Sequence, residues 1–261
     1  AVRVDGEFQT DRYIFGKDEV KNWSPLFMYH GFRYIEIEII GDADIEVLGV
    51  AIHSAFEKKG DFSCSDPYLT KLFNAVLWSD KNNFVGIPID CPQREKNGWT
   101  SEAWLASERI CFFFDAIKGY HKWLRDMCDA QLPNGEISGT VPTAGWGYQW
   151  GNGITYDFAL LYITYLLYKE TGDKSYLSEF YPSIKKFIKF QENLLDENYT
   201  ITSSLYDWLS TDIEHPCPVY ITSTSYFYSA CVMTAEIAHI LGDIETENHY
   251  INLSEIVKKR F

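Results

Sequence analysis

The sequence has no apolar run approaching the roughly 20 residues that a membrane-spanning helix requires. Its longest, such as ICFFFDAI from Ile110 to Ile117, are broken by charge. A spanning helix is excluded, and no membrane partner is expected. Clustered Lys and Arg are missing too: with 23 basic residues against 37 acidic ones and a formal net charge of -14, the chain cannot offer the positive patch that a phosphate backbone requires. That argues against a nucleic-acid partner and for an uncharged ligand. There is no CxxC pair among Cys64, Cys91, Cys111, Cys128, Cys217 and Cys231, and none of the six histidines pairs with another at i and i+4. No metal site is expected from such scattered ligands. A phosphate-cradling loop is absent as well, because GWGYQWGNG has neither a following Lys-Ser/Thr nor a preceding strand pattern. No cofactor is expected. The opening AVRVDGEFQT has no basic start, no apolar stretch and no initiator Met, which leaves a soluble protein's compartment open between cytoplasm and export. Oligomeric state is equally open.

What the chain has in abundance is apolar and aromatic side chains, 46% and 16% of 261 residues. That is enough for one large core and one or two domains. The first sixty residues differ in kind from the rest. In FRYIEIEII, Ile35, Ile37 and Ile39 alternate with Glu36 and Glu38, the period of a half-buried strand; DIEVLGVAIH predicts a second and VRVDGEF a third. A few short strands are marginal alone, so residues 1–60 are expected to be the C-terminal part of a larger β-sandwich domain.

From Ser65 the period becomes helical. Ser65 or Asp66 caps, Pro67 takes the first helical position, and Leu69, Leu72, Phe73, Val76 and Leu77 share a face. Further helices are predicted at about 101–117, 120–131, 154–171, 174–195, 223–241 and 246–260. Cys111 and Cys128 fall in helical stripes with Phe112, Leu124 and Met127, which predicts buried free thiols. The stripe Tyr156, Phe158, Tyr162, Tyr165 and Tyr168 predicts packing. LLYKETGDKSYLSEFYPSIKKFI and, seventy residues on, IAHILGDIETENHYINLSEIVKKRF share a helix ending at Gly-Asp followed by a second helix. Each Gly can adopt the left-handed cap and each Asp can start the next helix, which makes two helical hairpins. Repeated hairpins point to a toroid or solenoid. A six-hairpin toroid needs twelve helices, so residues 61–261 are expected to be the N-terminal part of one.

The unusual chemistry sits between helices. DCPQREKNGWTSEAWLASE, from Asp90 to Glu108, gathers Asp90, Arg94, Glu95 and Glu102, with Pro92 and Gly98 opposing a simple helix. Ion pairing of Arg94 with a carboxylate would explain the charges without any activity. Trp99 and Trp104 flank the acids, and an apolar wall raises a carboxyl's pKa as a general acid requires. Other loops add Trp146, Tyr148 and Trp150, and Asp207 with Trp208. Rings beside carboxylates suit a sugar, whose C–H face lies on an aromatic ring while its hydroxyls bond to acids and guanidinium. Cys91 lies in the same loop, but no nearby histidine activates it.

DCPQREKNGWTSEA resembles the acidic-loop signature of the bacterial α-L-rhamnosidases (glycoside hydrolase family 78), inverting enzymes whose (α/α)6 toroid follows β-sandwich domains. The resemblance extends through FMYHGFRYIEIE, GDFSCSDPYLTKLFNAVLWSDKNNFVGIPID, GWGYQWGNG and STSYFYSACVMTAEIAHILGD, nearly the whole chain. It implies a mainly α fold, rhamnose-containing glycosides as substrates, and Glu95 as the acid that protonates the glycosidic oxygen. It further implies that Asp90, Arg94 and Glu102 hold rhamnose hydroxyls, that Trp99, Trp150 and Trp208 line the pocket, and that Asp207 stands beside them. Two departures bear on this. Many members have one more residue between the arginine and the Gly-Trp pair, so Glu95 depends on where that gap falls, and Glu102 stands where many have Asp. The family's general base is a glutamate on a later loop, expected beyond Phe261, so this chain alone would turn over little substrate. Glu102 is not settled as a substitute by spacing: seven helical residues span about 10 Å and seven extended ones over 20 Å, and Gly98 leaves both open. Two other readings stand beside this one: a toroid glycosidase for another sugar, and a non-catalytic carbohydrate-binding protein whose charged loop is an ion-paired brace.

Overall fold

The computed structural model describes residues 9–16, 22–143, 145, 147–150, 152–205, 210–212 and 214–260. Seven helices and one small hairpin follow in order: α1 (Pro67–Asn82), β1 (Phe84–Val85), β2 (Ile87–Pro88), α2 (Thr100–Phe113), α3 (Ile117–Ala130), α4 (Ile154–Thr171), α5 (Ser175–Glu192), α6 (Val219–Leu241) and α7 (Ile244–Arg260). The Asp66 side chain accepts from the Tyr68 amide at 2.8 Å and Pro67 opens α1, as the sequence predicts. Gly86, at φ 78°, turns β1 into β2 with Phe84 opposite Pro88 and Val85 opposite Ile87.

The two helical hairpins form as read. Gly172 and Gly242 end α4 and α6 in the left-handed conformation. Asp173 then accepts from the Ser175 amide at 2.8 Å, and Asp243 from the Thr246 amide at 3.1 Å. Helix α4 is apolar all round and therefore central, packing on α2, α3, α5 and α6. Around it lie Trp123, Tyr120, Phe180, Phe187 and Phe227, each almost fully buried. Asp80 of α1, itself buried, pairs with Arg109 of α2 at 2.6 Å and ties those two helices together.

Boundaries differ where tertiary contacts override periodicity. Helix α2 stops at Phe113 because Phe114 is extended, bridged to Lys58, while the Lys59 amide donates to the Phe113 carbonyl at 2.8 Å and the Asp115 amide to Glu57 at 2.8 Å. Helix α6 starts at Val219, four residues before the expected position, directly after Pro218.

The predicted strands through Ile35, Ile37 and Ile39 and through DIEVLGVAIH form no ladder among the described residues, and those isoleucines are exposed. Alternation buries one face only when neighbouring strands supply hydrogen bonds and a second layer. The third expected strand falls on residues 2–8, outside the described residues. The α1 face is likewise split: Leu77 is buried and Phe73 packs on the core, but Leu69 and Leu72 are exposed. Cys111 and Cys231 are buried, Cys91, Cys128 and Cys217 half-buried, and Cys64 exposed. Phe112, expected in the Cys111 stripe, points outward, since its helix presents Cys111 and Ile110 to the core instead.

Candidate active site

The acidic loop is a closed ring of backbone and side-chain bonds. The Asp90 amide donates to the Asn97 carbonyl at 3.0 Å, and the Asn97 amide returns a bond to Asp90 Oδ1 at 2.9 Å. Inside this ring Cys91 Sγ donates to Asp90 Oδ2 at 2.8 Å and accepts from the Glu95 amide at 3.3 Å. Partial burial first, and the bond to Asp90 second, push the Cys91 thiol up, so it stays protonated and serves as a hydrogen-bonding link.

The exit of the loop is stitched to residues 139–141. The Gly98 carbonyl accepts from the Val141 amide at 2.8 Å, Trp99 bridges Thr140, and the Thr100 amide, an orphan donor at the head of α2, finds the Gly139 carbonyl at 2.9 Å. A Cβ on Gly98 would lie 2.1 Å from the Val141 oxygen, so only glycine fits. Gly139 in turn donates to Gly147 at 2.9 Å, which brings the GWGYQWGNG loop against the same helix end. The Tyr148 hydroxyl anchors that loop to the Ala130 carbonyl.

Three carboxylates meet at the head of α2. Trp99 Nε1 donates to Glu95 Oε2 at 2.9 Å. Ser101 Oγ donates to Glu102 Oε2. Glu102 is exposed by area, yet loss of solvation around its carboxyl raises its pKa, and the fields of Asp90 and Glu95 add to the rise. Tyr156, at the start of α4, stacks edge-on to Trp99 with centroids 5.6 Å apart, and its hydroxyl is pushed up by burial, then by Glu102 and Glu95. Arg94 is exposed and pairs with no carboxylate among the described residues.

The helical part of the chain, residues 57–261, matches the family model described as bacterial alpha-L-rhamnosidase 6 hairpin glycosidase domain, and residues 2–53 match the bacterial alpha-L-rhamnosidase concanavalin-like domain. The chain belongs to the bacterial α-L-rhamnosidase family. An alpha-L-rhamnosidase of Formosa agariphila is 31% identical over 97% of this chain and 28% of its own length. One from an Alteromonas species is 28% identical over 97% of this chain and 29% of its own. The solved alpha-L-rhamnosidase from Dictyoglumus thermophilum superposes with a TM-score of 0.75 at 33% identity, covering 80% of this chain and 24% of that one. The chain thus spans under a third of the length of these relatives. Its fold class is the mainly helical (α/α) toroid of the rhamnosidases.

Within this rhamnosidase-family chain, Asp90, Glu95, Trp99 and Glu102 gather at one helix end, with Arg94 on the same loop. Trp150 is exposed on the loop stitched to that end. Asp207, Trp208 and Trp146 lie outside the described residues. Trp104, expected to wall the acids, instead donates from Nε1 to the Thr155 carbonyl at 3.0 Å and packs among Phe158, Tyr162 and Tyr226. Five residues after Trp99, it lies roughly 140° further round α2 and so faces the core side. Phe158, Tyr162, Tyr165 and Tyr168 pack on the core as predicted, whereas Tyr156 faces the acids. Its position in the first turn of α4, directly after GNG, was the signal that set it apart from the stripe.

Proposed function

We propose that the protein hydrolyses terminal α-L-rhamnose from rhamnosides with inversion, and that Glu95 is the general acid. Glu95 gives its proton to the glycosidic oxygen as the C1–O bond breaks and water attacks C1 from the opposite face. A second carboxylate about 6.5–9.5 Å away takes the proton of that water; no described residue is assigned that role. Asp90, Arg94 and Glu102 hold the hydroxyls, and Trp99, Trp150 and Trp208, with Asp207, complete the pocket. Residues 1–60 belong to a β-sandwich domain and residues 61–261 to the toroid. The observation that carries this reading is the Trp99–Glu95 bond, with Glu102 close enough to feel the charges of Glu95 and Asp90.

A second assignment is favoured by the raised pKa of Glu102, which suits a proton donor. Leaving-group dependence separates the two in the natural full-length protein. Removing the acid abolishes turnover of a natural rhamnoside by about 1,000-fold or more while sparing a nitrophenyl rhamnoside, whose leaving group needs little protonation; removing a hydroxyl ligand slows both and raises KM. Glu95→Gln is expected to give the first pattern and Glu102→Gln the second. The reverse would transfer the acid role to Glu102, and no rhamnoside turnover by the folded wild type would leave a glycosidase for another sugar or a carbohydrate-binding protein.

A further inference from the structure

Lys96, the residue directly after Glu95, lies in the left-handed region at φ 52°, a conformation that an L side chain avoids unless its surroundings hold it there. What holds it comes from far away in the sequence. Its ammonium donates to the Tyr29 carbonyl at 2.5 Å and stands 4.7 Å from the centre of the Tyr29 ring, on a segment 67 residues earlier. The contact continues along the backbone. A Cβ on Gly31 would lie 2.9 Å from the Gln93 nitrogen and 2.9 Å from the Pro92 carbonyl carbon, so glycine lets the two segments touch. Gly31 is itself fixed by a reciprocal pair with Gln9, each bond 3.1 Å. The Tyr29 phenol is raised by burial, then by Asp90 and Cys91, which sets it against the ring of bonds that holds Asp90.

We propose that Lys96 is a positioning residue: clamped on Tyr29, it fixes the acidic loop, and with it the Glu95 carboxyl, to the segment that precedes the toroid. This rests on the reading of Glu95 as the acid. Neither the charge of Lys96 nor its side chain touches the carboxylates of the site in any bond described above. Its effect runs through the backbone, where the Lys96 amide closes the turn on the Cys91 carbonyl at 3.2 Å, one residue from Glu95. A consequence is that the site is assembled from both sequence regions, so that displacement of Tyr29–Gly31 loosens the acid without any change in the toroid.

The test uses the natural full-length protein with Lys96→Met, which keeps the stem and loses the ammonium, and Lys96→Arg, which restores a cation. Hydrogen exchange followed by mass spectrometry is read over residues 91–97 and over the helices, beside kcat and KM on a natural rhamnoside. Lys96→Met is expected to speed exchange in residues 91–97 by about tenfold with the helices unchanged, and to lower kcat by about 100-fold with KM within about threefold. Lys96→Arg should recover most of both. Unchanged exchange in residues 91–97 would overturn the proposal, and so would equal acceleration across α2–α7, which marks general destabilisation. If the wild type turns over no rhamnoside, the functional reading fails, and the exchange measurement still decides the clamp.

Discussion

Trp99 Nε1 donates to Glu95 Oε2 at 2.9 Å, from a residue whose own backbone is bridged to Thr140. The acid is thereby referred to two parts of the chain at once: its own loop and the 138–147 turn. Trp99→Phe keeps the ring on Tyr156 and removes only the donor. In the full-length protein it is expected to reduce turnover by about 10- to 100-fold, because a freely rotating carboxyl spends little time aimed at the glycosidic oxygen. Steady-state kinetics on a natural rhamnoside checks this; unchanged kcat would mean that the bond does not orient the acid.

Gly98→Ala probes the stitch itself. The new methyl group would sit 2.1 Å from the Val141 carbonyl oxygen, which is backbone and cannot swing aside. The pairing of Gly98 with Val141 must open. A fall in thermal stability together with loss of rhamnose binding, measured by scanning calorimetry and titration calorimetry, is the expected outcome.

Glu102 supplies a pH dependence. Crowding raises its folded-state pKa, with Asp90 and Glu95 adding to the rise. A carboxyl raised on folding favours the folded state below its unfolded value of about 4.3 and loses that contribution as pH climbs through the folded value. Glu102→Gln removes the ionisation. Its melting temperature should exceed that of the wild type at pH 7, and the difference should shrink to nothing near pH 4. A constant offset would assign the effect to packing.

Asp157, in the first turn of α4, is enclosed in the core, where Asn152 Nδ2 and Gln191 Nε2, the latter at 3.2 Å, both donate to it. Desolvation still prevails and raises its pKa well above the usual aspartate range. Here too stability is present below about 3.9 and lost as pH rises through the folded value. Asp157→Asn should therefore flatten the stability-against-pH curve between pH 4 and 8. The new amide finds an acceptor if Gln191 turns over, since Gln191 Oε1 has no partner among the described residues. Parallel curves for variant and wild type would contradict this.

The helices were legible because their signals are local. Asp66-Pro67 and the two Gly-Asp pairs are punctuation that acts within a few residues, and the structure uses each as read. The end of α2 was not legible, because Phe114 is held straight by the 57–59 segment, and no periodicity carries information about a partner so distant in sequence. The same limit hid Tyr29 and Tyr156 from the site and placed Trp104 in it. Acid residues, by contrast, were legible as a cluster: Asp90, Glu95 and Glu102 are crowded by a short loop that their own sequence closes. The stretch Ile35–Ile39 shows the converse, since its alternation forms no ladder among the described residues.

The most direct test of the account is release of nitrophenol from a panel of nitrophenyl glycosides by the natural full-length protein. The account predicts release from the α-L-rhamnoside, with the other sugars at least about 100-fold slower, as a pocket built to pair each hydroxyl discriminates. Folded protein that leaves the rhamnoside intact, or that cleaves another sugar as fast, would contradict it.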